Sequence, residues 1–204
     1  MASRTDRRTQ LLLAARSVFA KKGYDSATVA EIVGRAGVAQ GTFYLYFPGK
    51  DTLAGAFAEE LSERFAVLAD EKAARCRTFD TAVARVFEAS YEVADEYRDV
   101  FLIANRGLEL VDDMDEWMTR TAPSREWLES FVRHWQNQGA IDAKARPAVT
   151  ARVLRDALDR AAKSYVLSGD RNYGRDLAEV MRRGRCPAPT ARAGMSPSGR
   201  GRCR

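Results

Sequence analysis

Apolar residues recur along most of this chain at steps of three and four, the spacing that gathers side chains on one face of an α-helix. Leu12, Ala15 and Phe19, joined by Leu11 and Val18, form the first stripe over about residues 5–22. Gly23 follows it, where a helix C-terminus commonly places glycine. Thr28 with Glu31 three residues on is a capping-box pattern, so a short second helix opens there, carries Ile32 and Val33, and breaks at Gly37. Gln40 to Phe47 predicts a third helix, stopped by Pro48-Gly49. A longer fourth helix from near Lys50 carries Leu53, Phe57, Leu61, Phe65 and Leu68. Further stripes follow at Phe79, Val83, Phe87 and Tyr91, and a segment with Phe101, Leu102 and Leu108. An acidic stretch over 112–121 carries Met114, Trp117 and Met118. A helix with Pro123 in its first turn carries Trp127, Leu128, Phe131 and Trp135 and ends at Gly139. Another runs from Pro147 to Leu167 with Val153, Leu154, Ala157, Leu158, Ala161 and Tyr165, and a last one from about 173 holds Leu177, Val180 and Met181. No run alternates as a strand does, so the fold class predicted is all-α.

Within this pattern, residues 28–36 and 40–47 are two short helices joined by the tight turn Gly37-Val38-Ala39, directly after a longer helix. That is the helix-turn-helix arrangement. Phe43 and Phe47 are four apart and share a face that can bury against Ile32, Val38 and the first helix. Gln40 and Tyr44, and Thr42 and Tyr46, are also four apart and point away from the Phe face. A DNA-reading helix needs one anchored apolar side and one exposed hydrogen-bonding side. Gln can pair with adenine through two bonds, Thr offers a hydroxyl to a base or a methyl to thymine, and phenol hydroxyls reach phosphate oxygens. Leu45 either touches a thymine methyl or nothing.

Charge sharpens the picture. Residues 1–50 hold eight Lys/Arg against three Asp/Glu, a net +5, whereas residues 51–181 hold eighteen against twenty-five, a net −7. A basic head on an acidic body points to an anionic partner at the head. Residues 184–204 are rich in Pro, Gly, Ser and Arg, with Met195 as the one large apolar side chain, and read as a disordered Arg-rich tail. The tail either adds non-specific DNA affinity or does nothing. Cys76, Cys186 and Cys203 are far apart, with neither zinc spacing nor an even disulfide set, and His134 is the single histidine. No metal site and no cofactor is expected. No stretch approaches the roughly 18 apolar residues of a membrane span, and Arg16 interrupts the apolar run near the N-terminus, so neither a membrane partner nor a signal peptide is expected and the localisation expected is cytoplasmic. No nucleophile–base pair, paired catalytic carboxylates or phosphate-cradling loop is visible, which argues against an enzyme.

The stretch "TVAEIVGRAGVAQGTFYLYFPGKDTL", with "LLLAARSVFAKKGYDSA" before it, resembles the DNA-binding domain of TetR-family transcriptional repressors over about residues 5–65. The resemblance implies an N-terminal three-helix DNA-binding domain (5–65, helix-turn-helix 28–47) and a larger C-terminal helical domain for ligand binding and dimerisation (66–183). It implies that Thr28 caps the second helix and contacts a phosphate, that Gln40, Thr42, Tyr44 and Tyr46 face DNA, that Gly41 lets the backbone approach the groove, and that Lys50 binds a phosphate. Tyr46 has a second reading, packing against the next helix, and Arg7 and Arg8 either contact phosphate or form a solvated helix start. The family's homodimers place two recognition helices in successive major grooves, so the expected partner is double-stranded operator DNA of pseudo-palindromic sequence. Here the dimer interface falls on helices near 147–167 and 173–183, with Ala157, Ala161 and Ala162 permitting close approach.

The second partner implied is a small-molecule effector. Met114, Trp117, Met118, Trp127, Phe131 and Trp135 are its candidate pocket, suited to an apolar or aromatic compound, against the alternative of ordinary core packing. His134 and Tyr91 are candidate polar handles. The function expected is a ligand-released repressor; the alternatives are a transcriptional activator, or a helical protein-interaction module without specific DNA binding.

Overall fold

The computed structural model describes residues 4–105 and 114–183, and among these residues every regular element is an α-helix. The order is α1 (Arg4–Lys22), α2 (Val29–Ala36), α3 (Gln40–Tyr44), α4 (Thr52–Ala73), α5 (Phe79–Glu96), α6 (Phe101–Asn105), α7 (Met114–Arg120), α8 (Ala122–Asn137), α9 (Pro147–Ser168) and α10 (Asn172–Arg183). The expected Arg-rich tail at 184–204, with Cys186 and Cys203, lies outside the described residues.

The head forms as its sequence dictates. Leu11, Leu12 and Ala15 of α1 bury against Ile32 and Val33 of α2 and Phe43 of α3. Thr28 Oγ1 accepts from the Glu31 N–H, and Glu31 Oε2 accepts from the Thr28 N–H at 3.0 Å, closing the capping box. The Lys22 ammonium, with the Thr28 N–H and hydroxyl, holds the Glu31 carboxyl down at about 2. Thr28→Ala leaves the α2 N-terminus uncapped. We expect it to lower stability by about 1 kcal/mol, read as a lower urea midpoint at unchanged slope. Gly37 then turns the chain with φ +64°, a conformation that a side chain disfavours, and its N–H bonds back to the Gly34 carbonyl.

The third helix is shorter than the pattern predicts. It ends at Tyr44, and the Tyr46 and Phe47 N–H groups both return to the Phe43 carbonyl at 2.9 Å. Pro48 accounts for this, because its ring disfavours helical geometry at the preceding residue. Phe43 and Phe47 keep the shared buried face, with ring centroids 5.5 Å apart.

α4 belongs to both halves. Leu53 and Phe57 pack into the head, and Leu61, Phe65, Leu68 and Ala69 pack into the body against α5, α6, α7 and α8. One continuous core runs through it, so the boundary expected at residue 65 falls inside a shared helix. In the body, α9 lies on α5 and α8, and α10 lies on α5 and α9. Ala161 and Ala162 are buried against these neighbours within one subunit, so they do not form the outward small-residue face expected for dimer contact. The outward face of α9 instead carries Val149, Val153 and Leu167, with Ala157 half-buried.

Candidate functional site

The recognition face sits at the end of a rigid chain of contacts. Phe43, fully buried, roots α3 in the head, and Tyr44 stands edge-on to its ring, 51% exposed. Gln40 and Gly41 are exposed and Thr42 half-buried, so amide, hydroxyl and phenol lie on the side away from the core. Leu45, 76% exposed, extends the same surface. A Cβ built on Gly41 meets nothing within 4 Å, so the fold itself does not require glycine there. Tyr46 is half-buried and packs against the core. Of the two readings of Tyr46, packing is the one its contacts show.

Three basic residues of the head are held by contacts within the chain. Lys50 precedes α4 and donates to the carbonyls of Tyr24, Asp25 and Ala27 at 2.8, 3.3 and 3.1 Å, while lying 4.5 Å from the Tyr24 ring. An ammonium has three protons. All three are used to fasten the turn after α1, whose carbonyls lack helical partners. In the free chain Lys50 thus braces this turn from the start of α4. Arg8 is no solvated helix start, since it pairs with Glu59 of α4 at 2.7 Å and lies over the Phe47 ring. Arg7 bonds to Gln10 at 2.8 Å, and Gln10 in turn ties α1 to the Ala36 carbonyl of α2.

The body contains a cavity of about 610 Å³ between α4, α5, α6, α7, α8 and α9. This lies within the usual range of a small-molecule site. Of the six residues the sequence suggested, Trp117 and Met118 line it. Trp127, Phe131 and Trp135 do not. They stack in a row with Phe65 and Phe79, with successive centroids 5.2–6.3 Å apart, and the Trp127 indole N–H donates to Asp70. Their stripe is core packing, because it faces α4 and α5 where those helices close on α8. The Met114 side chain lies outside the described residues. His134 packs edge-on to Trp135, and the Tyr91 hydroxyl takes the Gly174 N–H and donates to the Arg171 carbonyl, so neither supplies the cavity's polar handle.

The handle lies elsewhere. Leu61, Phe65, Val93, Phe101, Leu128 and Leu158 make apolar walls, crossed by a strip of Ser62, Ser124, Thr121, Arg155 and Asp159. The first three are buried hydroxyls in otherwise apolar stripes, and that was the available signal in the sequence. Burial pushes the Asp159 carboxyl up, against the opposing pull of the Arg155 guanidinium.

Ion pairs join this cavity's walls to the head. Arg120, at the end of α7, bonds to Glu59 at 3.2 Å and to Glu116, and Glu59 is the same carboxylate that holds Arg8. On the other side, Arg16 of α1 grips Asp99 at 2.8 Å, just before α6, and lies over the Tyr97 ring. Among the described residues no group of His, Cys, Asp and Glu is placed to hold a metal, and no helix is long and apolar enough to cross a membrane.

A family model described as bacterial regulatory proteins of the tetR family matches residues 11–57. A second, described as the tetracyclin repressor-like C-terminal domain, matches residues 83–181. The uncharacterized HTH-type transcriptional regulator YvdT of Bacillus subtilis is 26% identical over 179 residues, covering 85% of this chain and 92% of its own. The HTH-type transcriptional repressor Rv1474c of Mycobacterium tuberculosis is 41% identical over 66 residues, 32% of this chain and 35% of its own. Among solved structures, Thermus thermophilus FadR, a TetR-family transcriptional repressor in complex with lauroyl-CoA, shares the fold with a TM-score of 0.69 at 19% identity. That match spans 94% of this chain and 100% of the other.

Proposed function

Because the chain belongs to the TetR family of bacterial regulatory proteins, we propose that it is a repressor that binds a pseudo-palindromic operator as a homodimer and leaves it when a small apolar compound enters the cavity. The chain is a DNA-binding, ligand-responsive transcriptional regulator and not an enzyme. The observation that carries the finer reading is the pairing of an outward Gln40-Thr42-Tyr44 face with a largely apolar cavity through one shared helix, α4.

In this reading Gln40 and Thr42 meet base edges, while Tyr44, Tyr46 and Thr28 meet phosphates. Two heads in one dimer engage successive major grooves, roughly 34 Å apart. A ligand shifts the equilibrium only by its different affinity for the two arrangements. The cavity walls α6 and α7 grip the head at Asp99 and through Arg120–Glu59–Arg8, so a displacement of either wall reaches α1 and α4 directly. The apolar walls and open mouth suit a compound with a hydrocarbon body, and the lauroyl-CoA bound by the fold relative T. thermophilus FadR has that character. Selection of duplexes from a random pool by the purified chain tests the DNA reading. The expected product is a two-fold symmetric site whose occupancy falls steeply with salt. A pool that gains no symmetric site sinks it.

The dimer uses the outward face of α9. Val149, Val153 and Leu167 are 49%, 65% and 66% exposed and form an apolar stripe that a lone subunit leaves to water. Val153→Glu places a carboxylate of each subunit in that contact. We expect it to weaken dimerisation at least about tenfold, measured by sedimentation, and to weaken operator binding in step. Undiminished dimerisation would move the interface elsewhere.

A further inference from the structure

The polar strip of the cavity has a direction. Ser62 Oγ donates to Ser124 Oγ at 2.8 Å, the Ser124 hydroxyl donates to the Thr121 carbonyl at 3.2 Å, and the Ser124 N–H donates to Ser62 Oγ at 3.0 Å. Arg155 Nη1 donates to the same Ser124 oxygen, and Arg155 Nε donates to Asp159 Oδ2 and Oδ1 at 2.9 and 3.1 Å. Both serine hydroxyl protons are therefore used inside the strip. A guanidinium carries five N–H donors. Only the Nε proton and one on Nη1 have acceptors among the described residues, so the Nη1/Nη2 end keeps unused donors on the cavity wall. Ser62 and Ser124 are 2% and 1% exposed, while the Arg155 and Asp159 side chains are 28% and 46% exposed, so the strip runs from buried hydroxyls to a partly exposed ion pair.

We propose that the cavity takes an aliphatic carboxylate, with its hydrocarbon chain against Leu61, Phe65, Phe101, Leu128 and Leu158 and its two oxygens accepting from the Nη1 and Nη2 protons of Arg155. This rests on the effector reading above and names the chemistry of the effector.

The unused groups are donors, so the matching head group is an acceptor. A planar fork matches the two oxygens of a carboxylate, where an alcohol or ester offers a weaker, uncharged acceptor. An amine would set a second cation beside the guanidinium. Asp159 is the internal competitor, because its carboxylate occupies the Nε side of the same guanidinium. The other charged residues on the lining are Arg125, Arg152, Glu129 and Asp156, two of each sign, which leaves Arg155 to set the preference. The apolar walls beyond the strip combine Ala, Val and Leu with Phe65, Phe101, Trp117 and Met118, a surface against which a flexible hydrocarbon chain packs.

Calorimetric titration of the full chain, without DNA, with decanoate, methyl decanoate and decanol tests this, each below its micelle-forming concentration. Decanoate is expected to bind at least about tenfold tighter than the other two, as charge-assisted bonds are roughly twice as strong as neutral ones. Arg155→Met is expected to abolish that preference while decanol affinity stays within about threefold, since the apolar walls remain. Asp159→Asn removes the competitor and is expected to tighten decanoate, leaving decanol unchanged. Should Arg155→Met not fold, Arg155→Lys keeps a cation without the fork and is expected to lose most of the preference. Equal affinity for decanoate and decanol, a preference that survives Arg155→Met, or no binding of decanoate overturns the proposal. If decanol binds and decanoate does not, the cavity still stands as an effector site and only the acid head group falls. Because no DNA is present, failure of the operator reading leaves this result untouched.

Discussion

Replacing Gln40, Thr42 and Tyr44 together with alanine is expected to remove specific operator binding from the proposed dimer while leaving it folded. None of the three side chains is buried: Gln40 and Tyr44 are exposed and Thr42 is half-buried. Thus the substitution leaves the Phe43 and Phe47 anchors in place and creates no cavity. Each lost base-edge contact weakens discrimination by about 1–3 kcal/mol, and the lost phenol adds a phosphate contact to that. Summed with the caution that neighbours couple, the expected loss is on the order of a hundredfold to ten-thousandfold in specific affinity. Gel shift at fixed salt measures it, with thermal unfolding and sedimentation on the same preparation to show the dimer intact. Unchanged occupancy of the selected operator would mean that α3 does not read the DNA.

Phe43→Ala, one residue from Tyr44, produces the opposite phenotype. Phe43 is fully buried, touches Phe47 and Tyr44 through its ring, and supplies α3 with its attachment to α1 and α2. Removing a buried phenyl ring leaves a cavity that a five-residue helix cannot collapse into, and such changes lower stability by about 3–5 kcal/mol. We expect a large fall in the denaturation midpoint, with loss of operator binding following from the unfolded head. The cavity in the body, remote from Phe43, should still bind decanoate in whatever fraction stays folded. A midpoint within about a degree of the unchanged chain would show that Phe43 does not hold the head together. The two substitutions test the two faces of one helix, one for recognition and one for support.

Much of this was legible in the chain. Steps of three and four located the helices, the Thr28–Glu31 spacing located a cap, and the spacing of Phe43 and Phe47 against Gln40 and Tyr44 separated the buried side of this segment from the exposed one, with Thr42 and Tyr46 half-buried between them. These are local properties, settled by residues within one or two turns of each other. The cavity was not legible in the same way. The aromatic stripe of Trp127, Phe131 and Trp135 looked like a pocket lining and is a packed row, whereas Ser62, Ser124 and Arg155 lie on three different helices.

Sequence by itself determined which face of α1, α2 and α3 turns inward, because the helical period and the chemistry of each side chain suffice there, whereas on α9 it put Val153 in the inward stripe that the fold turns outward. It also determined that the head is basic and can present an amide, hydroxyls and phenols to a duplex. Only the tertiary structure decided where inward faces meet and where they leave a gap, because that depends on how several helices cross. The same holds for the ion pairs Arg8–Glu59, Glu59–Arg120 and Arg16–Asp99, which join residues dozens of positions apart, and for Lys50, whose protons go to carbonyls near residue 25. Periodicity carries no information about such distant pairings, since a charge on a helix surface is compatible with any partner that the fold brings within reach.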